Sequence, residues 1–312
     1  MPDDDATPRS DRPRPGRPVV ALLHPGAMGS SLGAALVRAG CGVRWLDVGR
    51  SAASRRRAAA AGLVATGGWA ELLDGAQLVL SICPPASALE VAGAFVDAIA
   101  ERPSPPASGA GAVPLYVDAN AVSPARAAEL ASLVATAGAD FVDGDVVGPP
   151  AGAGRTVLYL SGRRAGEVAA CFGDGEPSVV VLGDDPTAAS ALKMLYAGWT
   201  KASSALLLAL WAAAQRTGVA GPLWAEWEAS QPDVPDRLRR AAAGSAPKAW
   251  RFAGEMDEIA RTLADVGLPD GFHRAAAELY RNLEPFKDAT SPELDAVTEA
   301  LVRAATAGEG RR

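Results

Sequence analysis

The apolar positions of this chain keep two different rhythms. Up to about residue 182, short unbroken apolar runs alternate with stretches in which apolar residues return every three or four positions. The first pattern is that of buried strands and the second that of amphipathic helices. Runs at 19–23, 43–47, 76–82, 113–117, 157–160 and 179–182 therefore predict strands, with shorter ones at 63–65 and 141–142. Helical spacing fills 28–38, 51–61, 87–100, a segment opening at Ser123-Pro124, and 165–172. Ser87 and Ser123 are expected to cap their helices, with Pro124 at the first helical position, where its missing N–H does no harm. Strands alternating with helices predict an α/β domain on a doubly wound, mainly parallel sheet, with ligands at the carboxyl ends of the strands.

From Pro186 onward the spacing is helical almost throughout, over 188–215, 221–230, 234–243, 246–266 and 272–282. Five of the seven tryptophans, at 199, 211, 224, 227 and 250, fall in this half. So many large apolar groups in helices predict an all-α C-terminal domain with a substantial core, shared with a second subunit. The expected organisation is a disordered tail over 1–17, the α/β domain over 18–184, the helical domain over 185–307 and a short tail over 308–312. A Pro/Gly/Ser/Ala stretch at 101–111 is expected to be a mobile loop.

The first strand and first helix are joined by His24-Pro25-Gly26-Ala27-Met28-Gly29-Ser30-Ser31-Leu32-Gly33. A glycine turn between a buried strand and a helix N-terminus lets backbone N–H groups approach an anion, and the helix dipole favours it. Asp47, at the end of the second strand, stands about 20 residues beyond the turn, where an acidic residue binds ribose hydroxyls. Together they predict a Rossmann domain that binds a dinucleotide. Asp47 favours NAD by repelling a 2′-phosphate, whereas Arg50, Ser51, Arg55, Arg56 and Arg57 offer phosphate contacts, so NAD and NADP both stay open.

Composition narrows the partners. With 49% hydrophobic and 21% charged residues, and no apolar run of the ~18–20 residues needed to span a membrane, the 312-residue chain reads as a cytoplasmic globular protein. A net charge of −6 without a basic stripe argues against nucleic acid. Three scattered cysteines, Cys41, Cys83 and Cys171, fit a reducing compartment, and with only two histidines, His24 and His273, no metal-ligand spacing is present. Lysine occurs at only four positions, 193, 201, 248 and 287, among 30 basic residues. Such a bias can keep lysine where an amine must give up its proton, which arginine cannot do; for any one of the four, chance is the stronger reading.

Gly26-Ala27-Met28-Gly29, Asp118-Ala119-Asn120-Ala121-Val122-Ser123-Pro124, Phe141-Val142-Asp143-Gly144 and a helical Lys193 occur in this order. In that order they resemble the β-hydroxyacid dehydrogenase superfamily, which includes 3-hydroxyisobutyrate and 6-phosphogluconate dehydrogenases and the related imine reductases. The similarity runs over about residues 18 to 283. His24-Pro25-Gly26, Ser81-Ile82-Cys83-Pro84-Pro85, Lys193-Met194 and Leu268-Pro269-Asp270-Gly271-Phe272-His273 resemble a 6-phosphogluconate-dehydrogenase-like subgroup whose helical C-terminal domain has no assigned function. The resemblance implies that Gly26, Ala27, Met28 and Gly29 hold the pyrophosphate and that Cys83 and Pro84, with Pro85, flank the cofactor, while His24 either stands near the cofactor or merely fills the turn. It places Asn120, Val122 and Ser123 near the nicotinamide and Lys193 as general acid/base. A buried lysine of lowered pKa takes the hydroxyl proton as hydride leaves, and returns it in reduction. Tyr196 and Thr200 follow Lys193 at i+3 and i+7, on one face of the helix. The resemblance also implies a homodimer through the helical domain.

Four departures from the superfamily pattern bear on the substrate. His24 replaces the first glycine of the turn, and Tyr196 replaces the asparagine after the lysine. Val147-Gly148-Pro149-Pro150 stands where a serine-glycine-glycine stretch grips a carboxylate, losing a hydroxyl and two amide donors. Glu255 aligns with a second lysine, while Arg251 close by offers a replacement positive charge, and His273 is a further pocket-lining candidate. The expectation is an NAD(P)-dependent oxidoreductase acting on a small hydroxyl or carbonyl substrate that is not a simple hydroxy-carboxylate. The alternatives are an imine reductase, or a dinucleotide-binding redox sensor without catalysis.

Overall fold

The computed structural model describes residues 16–102 and 112–309. Most of the expected N-terminal tail and of the 101–111 loop, and the last residues of the C-terminal tail, lie outside them. The chain divides into two compact units that meet between Ser190 and Ala191.

In the first unit, β1 (Val19–Leu22) and α1 (Ala27–Arg38) are followed by β2 (Gly42–Leu46), α2 (Ala52–Ala60), β3 (Val64–Thr66), α3 (Trp69–Leu73), β4 (Leu78–Ser81) and α4 (Ala88–Ala100). Then come β5 (Leu115–Asp118), α5 (Pro124–Ala135), β6 (Phe141–Val147), β7 (Val157–Ser161), α6 (Ala165–Ala169) and β8 (Ser178–Val181). The eight strands form one sheet in the order β3-β2-β1-β4-β5-β6-β7-β8. Every adjacent pair is parallel except β6 with β7. Strand order reverses between β1 and β4, the topological switch point at which doubly wound sheets bind ligands. Apolar side chains cover both faces. Leu32, Leu36, Val43 and Leu160 belong to one core cluster, and Phe95, Tyr116, Leu130 and Val134 to the other.

Two local expectations change and one short helix is added. Ser87 does not cap α4, because a short 3-10 turn over Pro85–Ser87 leads into the helix and the serine side chain accepts no cap hydrogen bond. Helix α3 has only five residues, too few for an apolar period to show. Strand β6 runs to Val147, well beyond residue 142, because Asp143 and Asp145 are buried inside it. Ser123 does cap α5, its hydroxyl accepting from the Arg126 amide at 3.4 Å.

The second unit is helical: α7 (Ala188–Thr217, which begins in the first unit), α8 (Ala220–Ser230), α9 (Val234–Ser245), α10 (Ala249–Asp265), α11 (Gly271–Arg281) and α12 (Leu294–Glu309). Sequence spacing misses α12. Trp211, Trp224 and Trp227 cluster, with ring centroids 5.2 and 6.0 Å from Trp211, whereas Trp199 and Trp250 are exposed. Among the described residues no helix is long and apolar enough to cross a membrane.

Candidate cofactor and catalytic residues

The turn after β1 is built for close approach. Gly26 is the N-cap of α1 in extended backbone, and no side chain caps the helix. The amides of Ala27, Met28 and Gly29 therefore open α1 without intrahelical acceptors. A Cβ on Gly26 would meet nothing within 4 Å, leaving open space beside the backbone. A Cβ on Gly29 would collide with the His24 carbonyl oxygen and come within 2.8 Å of Ile82, and one on Gly33 within 2.9 Å of Leu63. Gly26 thus leaves room for a ligand, while Gly29 and Gly33 let α1 pack against the sheet. Ser30 closes the turn, its hydroxyl donating to the Pro25 carbonyl at 3.0 Å.

Beside the turn lies a cavity of about 360 Å³ lined by His24, Leu46, Val48, Arg50, Trp69 and Glu90, among others. Burial and the neighbouring Arg50 push the His24 imidazole down to about 4, so it is neutral at physiological pH. Its Nδ1 is buried and has no partner among the described residues, and the same holds for Arg50 Nε. Arg50 is positioned by Nη2 donating to the Leu23 carbonyl at 3.3 Å and by its amide donating to the Asp47 carbonyl at 3.1 Å. The Asp47 carboxylate is gripped by Arg55 at 2.6 Å. Arg57 Nε reaches the Pro25 carbonyl at 3.4 Å, and Ser51 caps α2 through the Ser54 amide at 3.2 Å. An open glycine backbone, an uncapped helix start and orphaned donors beside a cavity fit a dinucleotide.

Residues farther along the sheet separate into structural and accessible groups. Asn120 is fully buried: its side-chain amide donates to Asp118 at 2.5 Å and Ser81 at 3.2 Å, and its oxygen accepts from the Cys83 amide. Burial and the nearby Asp143 hold the Asp118 carboxyl well above the usual carboxylate range. Burial raises Asp143 to about 6, against hydrogen bonds from Ser190 and Ser161. Val122 lies in the apolar core and Ser123 is fully buried as a helix cap, so their side chains support the strand ends. Cys83 and Val147 are half-buried, and Pro84 and Gly148 exposed. Gly148 has φ +120°, and a Cβ there would strike the Arg155 carbonyl, so only glycine suits this turn.

In the helical unit, Lys193 is half-buried and Tyr196 is 50% exposed. Thr200 donates to the Tyr196 carbonyl at 3.2 Å. Glu255 is buried and ion-paired with Lys201, whose ammonium also sits 4.6 Å from the Phe252 ring centroid. The carboxylate expected to face substrate is thus neutralised within its own unit. Lys201 was visible in the sequence as one of four lysines, but a partner 54 positions away was not. Arg251 is exposed, its guanidinium 5.4 Å from the Phe252 centroid. His273 lines an apolar groove of about 320 Å³ with Leu195, Trp199, Leu206, Leu263 and Phe272. Burial lowers the His273 pKa, against an interaction with the Gly198 backbone.

No curated protein matches the sequence. Among solved structures, a conserved hypothetical protein from Sinorhizobium meliloti 1021 is similar at 24% identity, with 93% of this chain and 97% of that one covered and a TM-score of 0.66. Conserved protein MTH1747 of unknown function, described as structurally similar to 3-hydroxyacid dehydrogenases, is 25% identical, with 86% and 98% covered and a TM-score of 0.60. Mycobacterium tuberculosis 3-hydroxyisobutyrate dehydrogenase with L-serine is 19% identical, with 91% and 99% covered and a TM-score of 0.64, a likeness of fold. Residues 20–168 match the NAD binding domain of 6-phosphogluconate dehydrogenase, and residues 214–283 match a domain of unknown function, DUF1932. The chain therefore joins an NAD-binding domain of the 6-phosphogluconate dehydrogenase type to a DUF1932 domain.

Proposed function

We propose that this protein is an NADP(H)-preferring oxidoreductase for a small hydroxyl or carbonyl substrate, with Lys193 as its general acid/base. The observation that carries the reading is the uncapped start of α1 at Gly26, open to a ligand, at the switch point of the sheet. The bound dinucleotide supplies hydride chemistry; the protein's part is to hold it and to move a proton. The amides of Ala27, Met28 and Gly29 bind the pyrophosphate, and the Lys193 amine exchanges the proton on the substrate oxygen. Tyr196, exposed one turn along the same helix, is a second donor within the same proposal.

The preference for NADP(H) rests on charge around β2 and α2. With the Asp47 carboxylate engaged by Arg55, the repulsion it would exert on a 2′-phosphate is largely cancelled. Arg50 and Arg57, both anchored to the turn, offer guanidinium donors that suit a phosphate. The Val147-Gly148-Pro149-Pro150 turn lacks the donors of a carboxylate grip, which supports a neutral or imine-like substrate over a hydroxy-carboxylate. Titration of the purified chain with NADPH and NADH, followed by protein fluorescence, tests the cofactor assignment. Saturable binding with NADPH the tighter ligand is expected; no binding of either nucleotide overturns the proposal.

A further inference from the structure

Two cavities open on neighbouring faces of α7, both within the helical unit. The apolar groove sets Leu195, Ala202 and Leu206 of α7 against Ile259 and Leu263 of α10 and Phe272 of α11. Round the helix from it, between α7 and α9, lies a cleft of about 270 Å³ lined by Thr200, Ser203, Ser204, Arg237 and Arg240, among others. Trp199 and Ser203 line both, so the groove and the cleft meet at one ridge.

Their chemistry is opposite. In the groove Trp199 is 70% exposed and Phe272 51%, and burial keeps the His273 imidazole neutral, so it adds no charge. Apolar surface left open in a concavity with polar groups at its rim marks a binding site. The cleft is cationic. Arg237 and Arg240 stand one turn apart on α9, and among the described residues no acidic side chain lines the cleft. Arg237 has a long, exposed ion pair with Asp233 at 3.6 Å, and Arg240 is exposed with no ion pair among the described residues. The Ser203 and Ser204 hydroxyls donate to the Thr200 carbonyl at 3.4 and 3.1 Å, so the guanidinium groups are the donors a ligand meets. In a chain of net charge −6, such a cleft is a local attraction for an anion.

We propose that cleft and groove form one binding site for a medium-chain carboxylate, its head paired with Arg237 and Arg240 and its apolar chain crossing the Trp199–Ser203 ridge into the groove. Arginine presents a planar fork of donors that matches a carboxylate, and two of them on one helix face can share its oxygens. The ridge lets the chain pass, because Ser203 is small and the Trp199 indole offers an apolar face. Beyond it the groove follows α7 from Leu206 back to Leu195, about 16 Å of helix, room for an extended hydrocarbon chain.

Isothermal titration calorimetry of the full-length chain with octanoate tests the site, with octanol and butyrate as controls for head and chain. One saturable octanoate site is expected, with octanol and butyrate each about tenfold or more weaker. The double variant Arg237→Gln/Arg240→Gln should lose about tenfold or more in octanoate affinity and keep that for octanol, whereas Leu206→Asp, at an exposed groove position, should weaken both. The comparison of the three ligands uses the unaltered protein, so it decides even where a variant does not fold. No saturable octanoate binding, equal affinity for octanoate and octanol, or an arginine variant that binds octanoate as the parent does would overturn the proposal. So would a dimer in sedimentation velocity that Leu206→Asp dissociates and that takes up no octanoate, which would give this face to a second copy of the chain. None of these readouts needs a nucleotide or turnover, so they stand or fall apart from the oxidoreductase reading.

Discussion

Asp47 shows why a residue's role depends on its neighbours. In the sequence it is an acidic group that favours NAD, set against nearby arginines; in the structure Arg55 holds it at 2.6 Å. Arg55→Ala should free the carboxylate and weaken NADPH binding by about tenfold or more, as expected for loss of one charged contact of roughly 1.5–3 kcal/mol. NADH binding should stay level or tighten, and an equal change for both nucleotides in the fluorescence titration would count against the preference. His24 carries a pH signature. Its folded pKa of about 4 lies below the 6.5 of the unfolded chain, so between these values the unfolded state binds more protons. Stability therefore falls as pH drops from about 6.5 towards 4. Asp143, raised to about 6, has the opposite sign over 3.8 to 6, so the useful quantity is a difference between proteins. Between pH 7 and 4.5 the urea midpoint of the parent should fall further than that of His24→Gln; equal losses would remove His24 from the account.

At the scale of elements, the β1–turn–α1 unit follows from its residues with little ambiguity. A short apolar run led by two valines precedes the turn, helical spacing follows it, and three glycines separate by function. Gly29→Ala places a Cβ against backbone that cannot move aside and should cost roughly 1–3 kcal/mol of stability in chemical denaturation. Gly26→Ala meets open space, so it should leave stability nearly unchanged while weakening nucleotide binding; the reverse pattern would contradict the division of roles. Elements that depend on distant packing were less legible. The five residues of α3 show no period, α12 fell inside the expected helical domain without being assigned as a helix, and β6 hides two aspartates that a polar reading ends too early. Ser87 looked like a cap because the 3-10 turn before α4 leaves no trace in composition. The Lys201–Glu255 and Cys41–Cys171 contacts join residues whose spacing carries no local signal.

For the whole molecule, the change of rhythm near residue 182 anticipated an α/β part followed by a helical one, because strand and helix periods differ in kind. The units meet a little later, within the first turn of α7, where Ser190 hydrogen-bonds to Asp143 at 2.7 and 2.8 Å. A shift of a few residues is what periodicity cannot resolve, since α7 is one continuous helix across the junction. The tryptophans divided in a way composition could not foresee: three form a cluster, and two stay exposed. The central claim joins the dinucleotide turn of the first unit to Lys193 of the second in one activity. Its most direct test compares the parent with Lys193→Ala in nucleotide binding and in turnover of whichever ketone, hydroxyacid or imine the parent accepts. The account predicts unchanged nucleotide affinity and a loss of about 10²- to 10⁴-fold in kcat; a variant that binds nucleotide and turns over at the parent's rate would contradict it.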